Sequence, residues 1–305
     1  MDVIWTPQRS LWDKAFASAP YPVQQDWAYG DAMMALGGNV LRAQVKKDRK
    51  TLALAQFTVR RFGGVVSSAV CSLGPVFLGE FSQDEKREIY QALRQALPLA
   101  RPRALIFTPA CGQPGEGALK GMKRVMTGYS SVIMDVSPMM EEIRKAAHVK
   151  WRNRLKVAEK SDLIVEPMGS KPSQYTWLLT KEEGQRKAKG YKATPSELVV
   201  EYQKSKGARE GVISFQAREG ADVIAGMLFL LHGQGATYHV GWGNDRARRL
   251  SAHNYILFRA IEALKAKGVT ALDLGGVETH KAPGLARFKI GTGGRVVTYP
   301  GTYLS

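Results

Sequence analysis

The sequence predicts an α/β (α+β) protein built as two tandem units of similar architecture. Three observations carry this. The chain has 305 residues, which suits two domains of roughly 150 residues each better than one core. Strand-like stretches alternate with segments that carry helix caps. The order strand, helix, strand also occurs twice, around 83–97 ahead of Ala104-Leu-Ile-Phe107 and around 252–266 ahead of Ala271-Leu-Asp-Leu274.

The helices announce themselves by their ends. Ser82-Gln-Asp-Glu85 is a capping box, in which the serine satisfies a free N–H and the glutamate reaches back. The helix it opens runs to Leu97, where Pro98 stops it. Ser137 precedes Pro138 at a first helical position, and Glu141 and Glu142 follow in the first turn, predicting one helix to about Lys160. Thr194-Pro-Ser-Glu197 reads as a second capping box, opening a helix to Lys206. Ser251 is expected to cap a helix whose apolar face is Ile256, Leu257, Ala260, Ile261 and Leu264, closed by Lys265, Lys267 and Gly268.

Strands are expected at Thr51–Arg60, Val65–Cys71, Ala104–Thr108, Tyr129–Asp135, Val212–Gln216, Val223–Leu231, Ala236–Gly241 and Ala271–Leu274. His232-Gly-Gln-Gly235 reads as a hairpin turn between two of them. The boundary between units falls near Ser137-Pro138.

Charge narrows the function. Lys and Arg total 44 against 27 Asp and Glu, a net +17, which suits a polyanionic partner or an anionic surface and equally a solvated basic exterior. The two cysteines, Cys71 and Cys111, form no CxxC pair, so neither a zinc site nor a disulfide framework is expected. The first residues, MDVIWTPQRSLW, lack the pattern of a signal peptide, and the apolar stretch Ala225–Leu231 is too short to span a bilayer. A soluble cytoplasmic protein is expected, able to touch the inner membrane face through its basic surface. HExxH and GxSxG are absent, and His239, His253 and His280 have no nucleophile pattern beside them, so they are read as structural.

Four segments, in order, resemble the Fem-type (FemABX) peptidoglycan aminoacyltransferases. Gln25-Asp-Trp27-Ala-Tyr29-Gly30 is similar to the family's opening motif. Gly74-Pro75-Val76 resembles its "R-G-P-V" strand, with Leu73 where many members have arginine. Lys150-Trp-Arg152-Asn153-Arg154-Leu-Lys156 resembles its basic helix. Leu272-Asp273-Leu-Gly275-Gly276, then Gly284-Leu-Ala-Arg287-Phe288-Lys289 and Gly293-Gly294, resemble its glycine-rich ending.

The resemblance implies two domains of the GCN5-related N-acetyltransferase (GNAT) fold, here 1–137 with 293–305 and 138–292, in the compact form without a coiled-coil arm. It implies a substrate groove in the first domain and along the domain junction. The reaction it implies moves an amino acid, by default L-alanine, from aminoacyl-tRNA to the stem-peptide amine of a peptidoglycan precursor. That precursor is a UDP-MurNAc-peptide or lipid II. A monomer is expected, with no metal and no cofactor.

Residue by residue, Lys289 would hold phosphate or the developing oxyanion and Phe288 would stack on the terminal adenine of the tRNA. Lys150, Arg152 and Arg154 would follow the tRNA backbone, though the same helix would serve as a solvated domain connector. Arg186, Lys187 and Tyr191 would meet the diphosphate or a carboxylate of the precursor; the bland reading is a helix end with its usual basic residues. Tyr29 and Tyr238 would face the same groove, or be core aromatics. Asp273, Gly275 and Gly276 would orient the loop carrying Phe288 and Lys289. Thr108 ends a strand where a carboxylate base could have stood.

Two rivals use the same residues differently. An acyl-CoA N-acyltransferase would need a glycine-rich turn for the pyrophosphate, and the matching stretch, Asp245–Asn254, has no glycine. A non-catalytic RNA-binding protein would explain the charge but not Phe288-Lys289.

Overall fold

The computed structural model describes residues 1–63, 65–110, 116–190, 194–207 and 210–305. They form two units, Met1–Ser130 with Val297–Ser305, and Ser131–Val296.

The first unit contains β1 (Asp2–Ile4), α1 (Arg9–Phe16), α2 (Trp27–Ala35), β2 (Asn39–Lys47), β3 (Lys50–Phe62), β4 (Val66–Ser72), β5 (Val76–Phe77), α3 (Gln83–Ala96), β6 (Arg103–Thr108) and β7 (Lys123–Met126). The chain's last strand, β15 (Thr302–Leu304), belongs to the same sheet. The sheet order is β1-β2-β3-β4-β6-β15-β7, with β5 beside β3. Strands β4 and β6 run parallel from Ser67↔Arg103 to Ser72↔Thr108. The crossover between them is α3, and its capping box forms as the sequence predicts: Ser82 Oγ accepts from Glu85 N and Glu85 Oε2 accepts from Ser82 N. Its apolar face, Ile89, Tyr90 and Leu93, is fully buried in one cluster with Phe57, Ala69 and Phe107.

The second unit contains β8 (Ser130–Asp135), α4 (Met140–Ala146), α5 (Val149–Glu159), β9 (Leu163–Pro167), α6 (Pro172–Lys189), α7 (Glu197–Lys206), β10 (Val212–Glu219), β11 (Asp222–His232), β12 (Gly235–Gly243), α8 (Asp245–Arg249), α9 (Ala252–Ala266), β13 (Ala271–Gly276), α10 (Pro283–Ile290) and β14 (Arg295–Thr298). Its sheet order is β14-β8-β13-β12-β11-β10-β9. The predicted hairpin is present, with Gly233 and Gln234 as the turn between His232 and Gly235. Helix α9 buries the predicted face, Ile256, Leu257, Ala260, Ile261 and Leu264.

Three helix boundaries differ from expectation. The helix expected over 138–160 is two helices, because Ala147 and His148 take extended ψ angles of 145° and 144°. His148 Nδ1 accepts from Lys150 N and starts α5 afresh, a side-chain cap that competes successfully with continuation. The first of the two begins at Met139, where Glu142 reaches back to the backbone N–H, rather than at Ser137. The second capping box does not form: α7 follows Ser196, whose side chain makes no cap hydrogen bond. Ser251 does not cap α9 through its side chain either; it sits at φ 56° as a hinge after the short α8, which Asn244 caps.

Candidate active site

The chemistry-bearing residues of the second unit gather where β12 and β13 stop pairing. These strands are parallel and registered over only three pairs, Gly235↔Ala271 to Thr237↔Asp273. Each then becomes irregular. On β12, Leu228 pairs with Val240 and Phe229 with Tyr238, so His239 is an extra residue in a bulge. On β13, the register against β8 shifts between Asp273 and Gly276. Bulges of this kind bend a strand away from its neighbour, and a sheet opened at the carboxyl ends of parallel strands is a usual place for a ligand.

Asp273 closes its own bulge. Its Oδ1 accepts from Gly275 N at 2.7 Å and from Ser131 Oγ at 2.6 Å. Gly275 takes φ 77°, a conformation that suits glycine, and a Cβ there would lie 3.5 Å from Lys289 Nζ. Burial pushes the Asp273 carboxyl up, while the bonds from Ser131 and Gly275 and the nearby Lys289 pull it back.

Helix α10, entered through Pro283 at its first turn, presents Phe288 and Lys289 on adjacent faces. Lys289 points inward with Ala286 and is only 6% exposed. Its Nζ donates to the Gly276 carbonyl at 2.9 Å and lies 6.0 Å from the centre of the Tyr238 ring. Burial pulls its pKa down to about 8, opposed by the charge of Asp273. Phe288 is half-buried. Trp151 of α5 tilts against it at 6.4 Å and 34°, and the His253 ring of α9 meets it edge-on at 6.4 Å and 74°. Burial takes the His253 pKa down to about 4, so the imidazole is neutral at physiological pH.

This arrangement is a fixed cation beside a half-exposed aromatic face, at an opening between strands. It can stabilise a negative oxygen and stack a planar group.

The remaining candidates lie elsewhere. On α5, Lys150 and Arg154 are exposed, whereas Arg152 Nη1 donates to the Lys145 and Ala147 carbonyls and so ties down the end of α4. On the last turn of α6, Lys187 Nζ sits 2.9 Å from Glu183 Oε1 and Arg186 Nη2 sits 3.9 Å from it. Tyr191 and Cys111 fall outside the described residues. Tyr29 lies on α2 of the first unit, part-buried, with its phenol pKa raised by burial.

The motif around Tyr29 has a structural explanation. Gln25 is fully buried, accepts from Gln56 N and donates to the Gln56 and Ser72 carbonyls, pinning the middle of β3 to the end of β4. Asp26 caps α2, and the Arg42 guanidinium lies 3.8 Å over the Trp27 ring. A Cβ on Gly74 would come within 2.6 Å of Gln25 and 2.8 Å of Cys71, which explains that glycine. Leu73, at the position where many relatives carry arginine, is buried.

No group of three metal-ligating side chains occurs among the described residues, and no described helix is long and apolar enough to cross a membrane.

Solved structures of low identity share this fold over nearly the whole chain. A crystal structure of FemX superposes with a TM-score of 0.82 at 14% identity, covering 100% of this chain and 97% of that one. A tandem GNAT protein from the clavulanic acid biosynthesis pathway gives 0.56 at 10% identity, covering 100% and 98%. L-PGS from Bacillus licheniformis gives 0.58 at 11% identity, covering 97% and 90%. The architecture is therefore two GNAT-like domains. No curated protein sequence matches the chain. The FemAB family model matches residues 154–304, a span that includes Asp273, Phe288 and Lys289, and together with the FemX superposition it supports a FemAB-family aminoacyltransferase.

Proposed function

We propose that the protein is a tRNA-dependent aminoacyltransferase that moves L-alanine from alanyl-tRNA to the stem-peptide amine of a peptidoglycan precursor. The observation that carries this reading is Lys289, a buried ammonium held by the Gly276 carbonyl next to the half-exposed Phe288 ring.

The free amine of the acceptor attacks the ester carbonyl. A C–N bond forms, the C–O bond to the terminal ribose breaks, and the amine proton goes to the departing ribose hydroxyl. Negative charge builds on the carbonyl oxygen in between, and Lys289 meets it there. A preorganised cation at that point stabilises the transition state more than the ground state. Phe288 stacks on the terminal adenine and sets the ester against Lys289. A phosphate or the 2′-hydroxyl of the terminal adenosine relays the proton. The ester is already activated, so the step needs neither metal nor cofactor.

Lys150 and Arg154 face the tRNA backbone. Arg186, Lys187 and Tyr191 meet the precursor's diphosphate or carboxylate, and Tyr29 and Tyr238 are each assigned to substrate contact. The protein works as a monomer in the cytoplasm, on UDP-MurNAc-pentapeptide or, at the inner membrane face, on lipid II.

The acyl-CoA alternative loses support at Asp245–Asn254. That stretch is the short helix α8 and the first turn of α9; its Arg246 forms a bidentate pair with Glu219 and its Arg248 pairs with Asp245. Two of its three arginines are thus already neutralised. The deciding experiment incubates the protein with alanyl-tRNA and UDP-MurNAc-pentapeptide and reads the product by mass. One added alanine residue, abolished by ribonuclease and not restored by acetyl-CoA, is expected. Activity that survives ribonuclease, or that requires acetyl-CoA, overturns the assignment.

A further inference from the structure

One contact in the second unit is not accounted for by any motif. Ser131, on β8, lies 142 residues from Asp273 in sequence, yet its hydroxyl donates to Asp273 Oδ1 at 2.6 Å. Ser131 is 1% exposed and pairs in register with Gly276. The same Oδ1 also receives the Gly275 N–H, and the next carbonyl along, that of Gly276, is the acceptor for Lys289 Nζ. Serine hydroxyl, carboxylate, turn amide, turn carbonyl and ammonium therefore form one connected path.

We propose that Ser131 and Asp273 are positioning residues for Lys289: they lock the Gly275 turn so that the Gly276 carbonyl holds the ammonium at a single point. This rests on the reading of Lys289 as the cation that meets the ester oxygen. The physical need is plain. A lysine side chain has large rotamer entropy and a head group that rotates freely, so one acceptor on a mobile loop would not fix it. A turn with φ 77° at Gly275 and an irregular register needs an anchor of its own, and Oδ1 supplies it with two hydrogen bonds.

Asp273 has a second effect, through charge. It lies in no ion pair with Lys289 among the described residues, but its field favours the protonated amine against burial. Other titratable groups near this helix among the described residues include Tyr238 on β12, whose ring faces the ammonium, His253 on α9, which faces Phe288 and is neutral, and His148, whose backbone N–H donates to the Gly291 carbonyl at the end of α10. Burial dominates the Lys289 ammonium, and the Asp273 carboxylate, one turn amide away from the carbonyl that holds it, opposes that pull.

Three variants separate the two effects. Asp273→Asn keeps an oxygen that can accept from Ser131 and Gly275 but removes the charge. Ser131→Ala removes one anchor of the turn, and Ser131→Thr restores its hydroxyl. The first readout is the titration of Lys289 by 15Nζ NMR, with its signal assigned by loss in Lys289→Arg. The midpoint near 8 is expected to fall by about one unit in Asp273→Asn. This readout needs no substrate, so it stands or fails separately from the transfer reaction. The second readout is steady-state transfer. Ser131→Ala is expected to lower kcat about tenfold with KM nearly unchanged, and Ser131→Thr to recover most of it. An unshifted Lys289 midpoint in folded Asp273→Asn overturns the charge role. An undiminished kcat in Ser131→Ala, or a loss that Ser131→Thr does not repair, overturns the positioning role.

Discussion

The two units each contain a parallel strand pair joined by a helical crossover, and the two pairs end differently. In the first unit β4 and β6 stay in register for six pairs, Ser67↔Arg103 to Ser72↔Thr108. The far end is then sealed: Thr108 Oγ accepts from Leu73 N at 3.0 Å and contacts the Cys71 carbonyl at 3.4 Å. In the second unit β12 and β13 keep three pairs and part, each with a bulge or register shift. Asp273, the last residue of that ladder, turns its carboxylate onto Gly275 N. The contrast is between a strand end closed by its own backbone and one left open. A polar residue at the end of a closed pair is consumed by the backbone between the strands. The same position at an open pair holds a turn that can present a cation.

The largest test of this contrast is Lys289→Met. It keeps the length and apolar body of the side chain and removes the charge. If the open end is the reaction site, transfer should fall by about 10²–10³-fold, the usual cost of losing one oxyanion donor, with an unchanged circular dichroism spectrum. Wild-type turnover in a folded variant would end the role assigned to Lys289.

Next is a pair of phenylalanines. Phe107 of β6 is fully buried and meets Tyr90 edge-on at 4.7 Å, whereas Phe288 is half-exposed. Phe288→Ala should raise the KM for alanyl-tRNA about tenfold, the size of one lost base stack. Phe107→Leu should lower the melting temperature and leave that KM alone. Equal effects of the two on KM would erase the distinction between the ends.

Much of this was legible beforehand, and the omissions have identifiable causes. The α3 box, the hairpin at Gly233-Gln234 and the buried face of α9 follow from local rules, because each depends on residues within a turn or two. Phe288, Lys289, Asp273 and the glycines were legible as a motif. Ser131 was not: a serine at the start of a strand carries no local signal, and its partner is 142 residues away. The break at Ala147-His148 was missed because a histidine cap is uncommon. Strand β2 is legible in the alternation of Leu41, Ala43 and Val45 with Arg42 and Gln44, though the partners of its polar face come only from the fold: Asp31 and Gln56 for the arginine and Thr51 for the glutamine. Signals for α6 were present, with Pro172 at its start and Gly190 at φ 68° after its end, but they are weak alone.

A smaller effect should appear on acidification. All five histidines, His148, His232, His239, His253 and His280, belong to the second unit. Burial takes His239 and His253 down to about 4 from an ordinary value near 6.5. A folded pKa below the unfolded one means that the neutral ring stabilises the fold. That stability is complete above 6.5 and drains away as the pH falls from 6.5 toward 4. Between pH 7 and pH 5, hydrogen exchange in β12 and α9, corrected for its intrinsic pH dependence, should accelerate more than in β3 and β4. Equal acceleration would show that these two rings are not the sensitive groups.

The smallest effect is expected at the sealed end. Thr108→Val keeps the shape of the side chain and removes the hydroxyl that accepts from Leu73 N. Leu73 sits at φ 51°, unusual for a branched residue, and its side chain is 5% exposed, so its N–H has little access to replacement by water. Leaving that donor without an acceptor should cost about 1–2 kcal/mol of stability, read as a lower denaturation midpoint in urea. No charge is lost and nothing that faces a reacting group is moved, so turnover per folded molecule should stay within about threefold. A collapse of kcat as deep as that of Lys289→Met, at normal stability, would mean that Thr108 serves the reaction. The closed pair would then carry chemistry of its own and would not be a structural joint.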